Sequence, residues 1–323
     1  MRHVFITLAI ALAFASPQKA HAATTPYPTK PIRLIVPFPP GGGTDIVARL
    51  LSTRLADRLG QQVVVDNRGG ANAIIGTDLA AKSPADGYTL LLCLQANMAV
   101  NPGLYRKLPY DPIRDFAPVI QLNAIALLLS AHPSVQASSV KELIQLARSK
   151  PGQLTFGSSG TGSSSHLAME LLKNMAAVNL AHVPYKGGGP AVNDLVGGQI
   201  NVYSGTLISL VQFVKAGRIR ALAVTNAKRL SAFPDIPTIA ETITGYESSA
   251  WQGIVVPKAT PVAIVTQLNQ AFTRVLQLPD IRDRLANEGA DAVGGTPEEF
   301  GRFIQIETAK YAKLIREAEV KAE

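Results

Sequence analysis

The chain alternates between short apolar runs of strand length and stretches with helical spacing. "PIRLIVPF" (Pro31–Phe38) is almost continuously apolar, as a buried strand should be. Val47, Leu51, Leu55 and Leu59 then recur every fourth residue, which predicts one face of a helix ended by Gly60. "QVVVDN", "IIGTDLAAKS" and "GYTLLLCL" continue as strand, helix and strand. The pattern restarts with the strand "AIALLLSAH", the serine-capped helix "SSVKELIQLARSK", the strand "GQLTFGSSG" and the helix "SSSHLAMELLKNM". "LAHVPYKG", "GGQINVYSG" and "IRALAVT" extend the series. Beyond the proline-rich "FPDIPTIAE", "WQGIVVP" reads as a strand and "PVAIVTQLNQAFTRVL" as a helix. A long terminal helix opens with Thr296 and Glu299 in capping-box spacing and Pro297 in the first turn, and its charges are expected to form a solvated face.

Apolar strands joined by amphipathic helices imply an α/β protein with parallel sheets covered on both faces. The restart divides the chain into two Rossmann-like αβ lobes with a ligand cleft between them. One lobe is expected over 23–124 plus 247–323 and the other over 125–246, with crossings near Leu122–Ala126 and Thr238–Tyr246.

The first residues do not belong to this pattern. Arg2, the apolar run Val4–Ala15 and the small-x-small triplet Ala20-His21-Ala22 form a secretory signal peptide over 1–22, cleaved after Ala22. The run is short for a membrane span. A chain exported this way is expected in a bacterial periplasm. Cys93 is the only cysteine, lies in an apolar run and is expected to be a buried apolar residue. Net charge is +8, or +6 once Arg2 and Lys19 leave with the leader. The excess is scattered, which fits a small anion and does not support nucleic-acid binding.

Two loops could carry chemistry: "FPPGGGTD" (Phe38–Asp45) and "GSSGTGSSSH" (Gly157–His166). Each follows a strand and precedes a helix, so backbone amides and the positive end of a helix dipole converge where glycine keeps side chains away. Either loop alone could be a capped turn. One in each lobe suggests an anion clamped between lobes, in the crevice beyond the strands' carboxyl ends. Asn72, Gln95 and the run Ser204-Gly205-Thr206 follow other strands at the same edge, as do Asn97 and Tyr185-Lys186-Gly187. Trp251, the sole tryptophan, is expected to pack near the second crossing.

The nearest catalytic motifs fail. Gly157–Ser164 has the glycine spacing of a nucleotide-binding P-loop, but Ser163 stands where lysine is required. Ile46 occupies the last glycine's position of a dinucleotide fingerprint. No G-x-S-x-G elbow is present, and the three histidines beyond the leader, His132, His166 and His182, make no metal-ligand spacing. Neither a cofactor nor a metal is expected. Binding is therefore favoured over an exported enzyme using His166 or Asp45 as base.

Taken in order, "YPTKPIRLIVPFPPGGGTDIVARLL", "VVVDNRGGANAIIGTDLAAKSPADGYTLL", "NPGLYRKLPYDPIRDFAPV", "GSSGTGSSSHLAMELLK", "HVPYKGGGPAVNDLVGGQINV", "GRIRALAVTNAKR" and "FPDIPTIAE" resemble the Bug family, the TctC-type substrate-binding proteins of tripartite tricarboxylate transporters. The resemblance spans nearly the whole chain after the leader. It implies a monomeric periplasmic receptor of the type II periplasmic-binding-protein class, closing like a Venus flytrap on a small carboxylate. The partner would be a membrane permease or a sensor ectodomain. Carried over, the ligand-binding residues would be Phe38, Pro39, Gly41, Gly42, Gly43, Thr44 and Asp45, with Asn72 and Gln95 flanking. Across the cleft they would be Ser158, Ser159, Gly160, Thr161, Gly162, Ser163, Ser164 and His166, with Ser204, Gly205 and Thr206. Many members read G-Q-V-D-V-M-F-D where this chain has "GQINVYSG", so two acidic positions become Asn201 and Gly205. An acid at the second position can face a ligand ammonium in amino-acid-binding members. Its loss implies a roomier, uncharged wall and a ligand without an amino group.

Overall fold

A computed structural model describes residues 27–40, 43–185, 187–230, 232–287 and 289–321. The leader, Gly41, Gly42 and Lys186 lie outside the described residues.

The first sheet has six strands in the order β11-β4-β10-β3-β1-β2. They are β1 (Ile32–Val36), β2 (Val63–Asn67), β3 (Thr89–Leu94), β4 (Phe116–Ile125), β10 (Ala250–Pro257) and β11 (Ala290–Gly294). The second has five, ordered β7-β6-β8-β5-β9. These are β5 (Leu127–Ala131), β6 (Thr155–Ser158), β7 (Ala181–Pro184), β8 (Val202–Thr206) and β9 (Arg220–Val224). Neither sheet is all parallel, as the alternation alone had implied: β10 runs against β3 and β4, and β5 runs against β8 and β9. The reason lies in the crossings. β4 leaves the first sheet at its carboxyl edge, and after Ala126 the chain enters the second sheet from its own carboxyl edge as β5, against its neighbours. β10 repeats the manoeuvre on the return. A strand that enters a sheet from its carboxyl edge runs against the strands that end there.

Helices cover both faces of each sheet. In the first lobe α1 (Gly43–Leu59) and α8 (Val262–Leu276) pack on one face through Leu51, Leu55, Leu268 and Phe272. The other face receives α2 (Ile74–Ala81), a π-helical turn at Ala96–Val100, the short α3 (Asn101–Leu104) and α10 (Pro297–Glu317). In the second lobe α4 (Val140–Ser149) and α5 (Ser164–Ala176) cover one face, and α6 (Gly188–Val196) and α7 (Leu207–Lys215) the other. Fully burying each such leucine or phenylalanine contributes about 1.5–3 kcal/mol. Ser139 caps α4, and Thr296 with Glu299 forms the expected capping box of α10.

The structure adds elements that the sequence reading did not name: β4 from Phe116 to Asn123, the π-helical turn, α3, α6, α7, a 3-10 turn at Ile239–Glu241, α9 (Pro279–Asn287) and β11. The single strand expected over "AIALLLSAH" is the end of β4 followed by β5. Pro118 interrupts the apolar run of β4, and the β10–β4 register shifts nearby to accommodate it. Nor is the face of α10 wholly solvated. Glu307 is buried, accepts from Trp251 Nε1 at 3.0 Å and pairs with Lys310. Cys93 is buried as expected, and burial pushes its thiol far above the usual range. Among the described residues no helix is long and apolar enough to cross a membrane.

Candidate functional site

Because every crossing is made at the carboxyl edges, the strand-end loops of both lobes face one another around β4, β5 and β10. A cavity of about 470 Å³ opens there. Thr44, Ile46 and Val47 of α1 and Leu94 of β3 line it from the first lobe, and Thr206 from the second. The crossing strands supply Asn123 and Ile125 (β4) and Ala250, Trp251 and Gln252 (β10), and Arg284 of α9 and Ala290 of β11 close the side. Among the described residues Arg284 is the only charged side chain in this lining.

Around the first glycine loop the polar groups are braced behind the cavity. Asp45, buried in the first turn of α1, accepts from Arg49 Nε at 2.9 Å and Asn67 Nδ2 at 3.0 Å. Asn67 Nδ2 also donates to the Phe38 carbonyl at 3.1 Å, which fixes the loop's entry. A carboxylate in a helix's first turn is favoured by the dipole, so Asp45 anchors the helix start and Thr44 projects from it into the cavity. A Cβ on Gly69 would lie 2.9 Å from Pro39 Cδ, so the loop after β2 rests on the glycine loop only because residue 69 has no side chain.

The other flanking candidates make protein contacts. Asn72, in the left-handed region at φ 50°, exchanges hydrogen bonds with Asn101: Nδ2 to Oδ1 at 2.9 Å, and Asn101 Nδ2 to the Asn72 carbonyl at 2.9 Å. Asn97 Oδ1 accepts from Leu94 N at 2.7 Å, and its Nδ2 donates to Thr77. Gln95 Nε2 donates to the Ser249 carbonyl at 3.2 Å and to the Tyr311 hydroxyl, tying β3 to the second crossing.

The second loop is knitted to itself. Ser163 caps α5, accepting from His166 N and donating to the Gly160 carbonyl at 2.6 Å. The Ser165 hydroxyl accepts from Ser159 N at 2.8 Å and meets the hydroxyls of Ser159 and Ser163, each at 2.9 Å. Ser158 Oγ sits 2.6 Å from His182 Nε2. Gly162 N donates to His166 Nδ1 at 3.1 Å. His166 must therefore carry its proton on Nε2, which faces Glu170 Oε1 at 3.6 Å. The imidazoles of His166 and His182 stack with centroids 3.9 Å apart, and Phe156 stacks beyond His182. Desolvation, with the neighbouring His166, pushes the His182 pKa down to about 4. Burial alone would raise Glu170, but hydrogen bonds from His166 and Lys173 hold its carboxyl below the usual range. A Cβ on Gly162 would lie 2.6 Å from Leu104 Cδ2, so this loop packs against α3 of the other lobe. None of Ser158–His166 lines the cavity. Thr161 and the start of α5 at Ser164 belong to the same packed turn.

At β8, Ser204 is buried with its Oγ unpartnered, and Thr206 begins α7 with Oγ1 donating to Ser209 Oγ at 3.0 Å. Gly205 does not open room in the wall: a Cβ there would fall 2.2 Å from the Tyr203 ring, which fills the space. Burial raises the Tyr203 pKa to about 12, so the ring is a neutral part of the second lobe's core. Asn201 lies at the far end of the strand, where Oδ1 accepts from Thr155 N at 2.8 Å.

Of the residues expected from sequence, the structure brings Thr44 and Thr206 together in the cavity. The crossing-strand residues and Arg284 were missed. The available signal was the polar Asn123 and Gln252 inside otherwise apolar strands, "VIQLNAI" and "AWQGIVV". No group of three or more metal-ligating side chains occurs among the described residues.

Two αβ lobes joined by antiparallel crossing strands around a lined cleft define a two-lobed solute-binding protein. The chain belongs to the family described as tripartite tricarboxylate transporter family receptor, TctC, whose profile matches residues 47–320. Protein BugT of Bordetella pertussis is 40% identical over 301 residues, 91% of each chain. An R. palustris protein solved with adipate is 39% identical, with TM-score 0.81 over 91% of this chain and 99% of that one. MatC from Rhodopseudomonas palustris, solved with bound malate, is 30% identical, with TM-score 0.76 over 90% and 100%.

Proposed function

We propose that this chain is a periplasmic receptor that captures a small organic carboxylate between its lobes and delivers it, unchanged, to a tripartite tricarboxylate-type permease. The observation that carries the reading is the cavity of about 470 Å³ between the start of α1 at Thr44 and the start of α7 at Thr206. Two helix starts supply amides for an anion, and the lining between them is mostly apolar, with Leu94, Ile125 and Trp251 to cover a short carbon skeleton. Relatives solved with adipate and with malate agree with that chemistry. The lobes of the proposal are residues 23–124 with 247–323, and 125–246, hinged where β4 passes into β5 and where the chain returns to β10. Ligand closes them by contacting both walls. Gly205 stands where many relatives carry an acid, and this supports a ligand without an amino group.

The test is a panel of di-, tri- and aromatic carboxylates with aspartate and glutamate as controls, read by thermal shift. A ligand that binds only the folded state raises the melting temperature. The reading predicts a shift for non-amino acids and stoichiometric recovery of unchanged ligand. Turnover of the acid would establish an enzyme, and tighter binding of aspartate or glutamate would overturn the amino-group assignment.

A further inference from the structure

The crossing strands carry a polar relay under the cavity. Asn123 on β4 donates from Nδ2 to Gln252 Oε1 on β10 at 3.0 Å, and Gln252 Nε2 reaches Thr44 Oγ1 at the start of α1 at 3.5 Å. Asn123 is wholly buried, yet it lines the cavity and its Oδ1 has no hydrogen-bond partner. A buried acceptor left unpaired is costly, because it has given up water and gained nothing in return. Packing does not require an amide here: Ile125, two residues along the same strand, lines the same cavity with an apolar side chain.

We infer that Asn123 is the specificity-determining contact of the cleft, its Oδ1 accepting a hydrogen bond from a hydroxyl on the bound acid. The inference rests on the carboxylate reading above and adds the ligand's second polar group. Thr44 and the helix start hold the carboxylate, Ile125 and Trp251 cover the carbon skeleton, and Asn123 reads a donor on the floor. One Nδ2 hydrogen goes to Gln252, and the atom with no partner at all is Oδ1, an acceptor. It attracts a hydroxyl and repels a second carboxylate oxygen. A site built around an unpaired buried acceptor discriminates against the analogue lacking the donor.

The experiment titrates matched pairs into the purified protein by calorimetry: malate against succinate, 2-hydroxyglutarate against glutarate, and 4-hydroxybenzoate against benzoate. The same pairs are titrated into Asn123→Leu, or into Asn123→Ala should the leucine variant fail to fold by circular dichroism. The expected result is a preference of about tenfold for the hydroxylated member of the best-bound pair. In the variant that preference disappears, whatever change in affinity the two members of the pair share. Equal binding of both members by the unaltered protein, preference for the deoxy member, or a preference that survives in the variant each overturns the assignment of Asn123. Binding of no acid at all overturns the carboxylate reading itself, an outcome distinct from the other three.

Discussion

The two glycine loops look like duplicates in sequence and behave differently in the fold. The loop before α1 places its hydroxyl, Thr44, in the cavity and leaves its carboxylate, Asp45, behind as a brace. The loop before α5 has more hydroxyls and sends none to the cavity: Ser158, Ser159, Ser163 and Ser165 bond to the backbone, to one another and to His182. Its histidines are props, with His166 holding Gly162 N from beneath. A glycine-rich turn marks where backbone comes close to something, and in the second lobe that is Leu104 of the opposite lobe.

The contrast can be broken most forcefully at the second lobe's wall. Gly205→Ala forces a methyl into the Tyr203 ring, since the Cβ would fall 2.2 Å from it. Overpacking of this kind costs about 1–3 kcal/mol, and denaturant unfolding should show a lower midpoint at unchanged slope. Adding Tyr203→Met should recover most of the loss, because a flexible side chain can move aside. No recovery would mean that the ring is not what occupies the space.

The next effect concerns pH. The His182 pKa lies at about 4 in the folded protein, against an ordinary value near 6.5. Between these values the unfolded chain binds more protons than the folded one, so stability falls as pH is lowered through that window. Glu170 acts in the same direction: its carboxyl is held below the usual range, so the stability it adds is present above that range and lost as pH falls through its folded value. Urea midpoints measured from pH 7 down to pH 4 should decline, and His182→Gln should flatten the upper part of the decline. An equal slope in the variant would remove His182 from the account.

The smallest changes in stability sharpen the comparison best. Ser163→Ala removes the cap of α5 and should cost about 1 kcal/mol while leaving ligand affinity within about twofold. Thr44→Val should do the opposite, changing stability by less than about 0.5 kcal/mol and weakening carboxylate binding by about fivefold or more. Unfolding curves and titrations on the two variants read both quantities. Loss of binding in the serine variant alone would reverse the roles assigned to the loops.

Much of this fold was legible from period alone. Val47 to Leu59 marked the core face of α1, and Thr296 with Glu299 marked the start of α10, because helical spacing and capping are local properties. The sense of β5 and β10 was not legible, since it depends on the edge from which a strand enters its sheet. Most of β4, from Phe116 to Asn123, went unread because Pro118 interrupts its apolar run. The site was legible at Thr44 and Thr206, where helix starts follow glycine. Asn123, Gln252 and Arg284 were not, because they reach the cavity through the pleat of crossing strands and from a helix far along the chain.

Trp251, the only tryptophan, lines the cavity and donates to Glu307. Its fluorescence therefore reports directly on what enters, and titrating a carboxylate panel against it is the most direct test of capture between the lobes. The account predicts a saturable change with a stoichiometry of about one for at least one small non-amino carboxylate, weakened in Thr44→Val. Binding that leaves Trp251 unchanged and is indifferent to Thr44 would place the ligand elsewhere and contradict it.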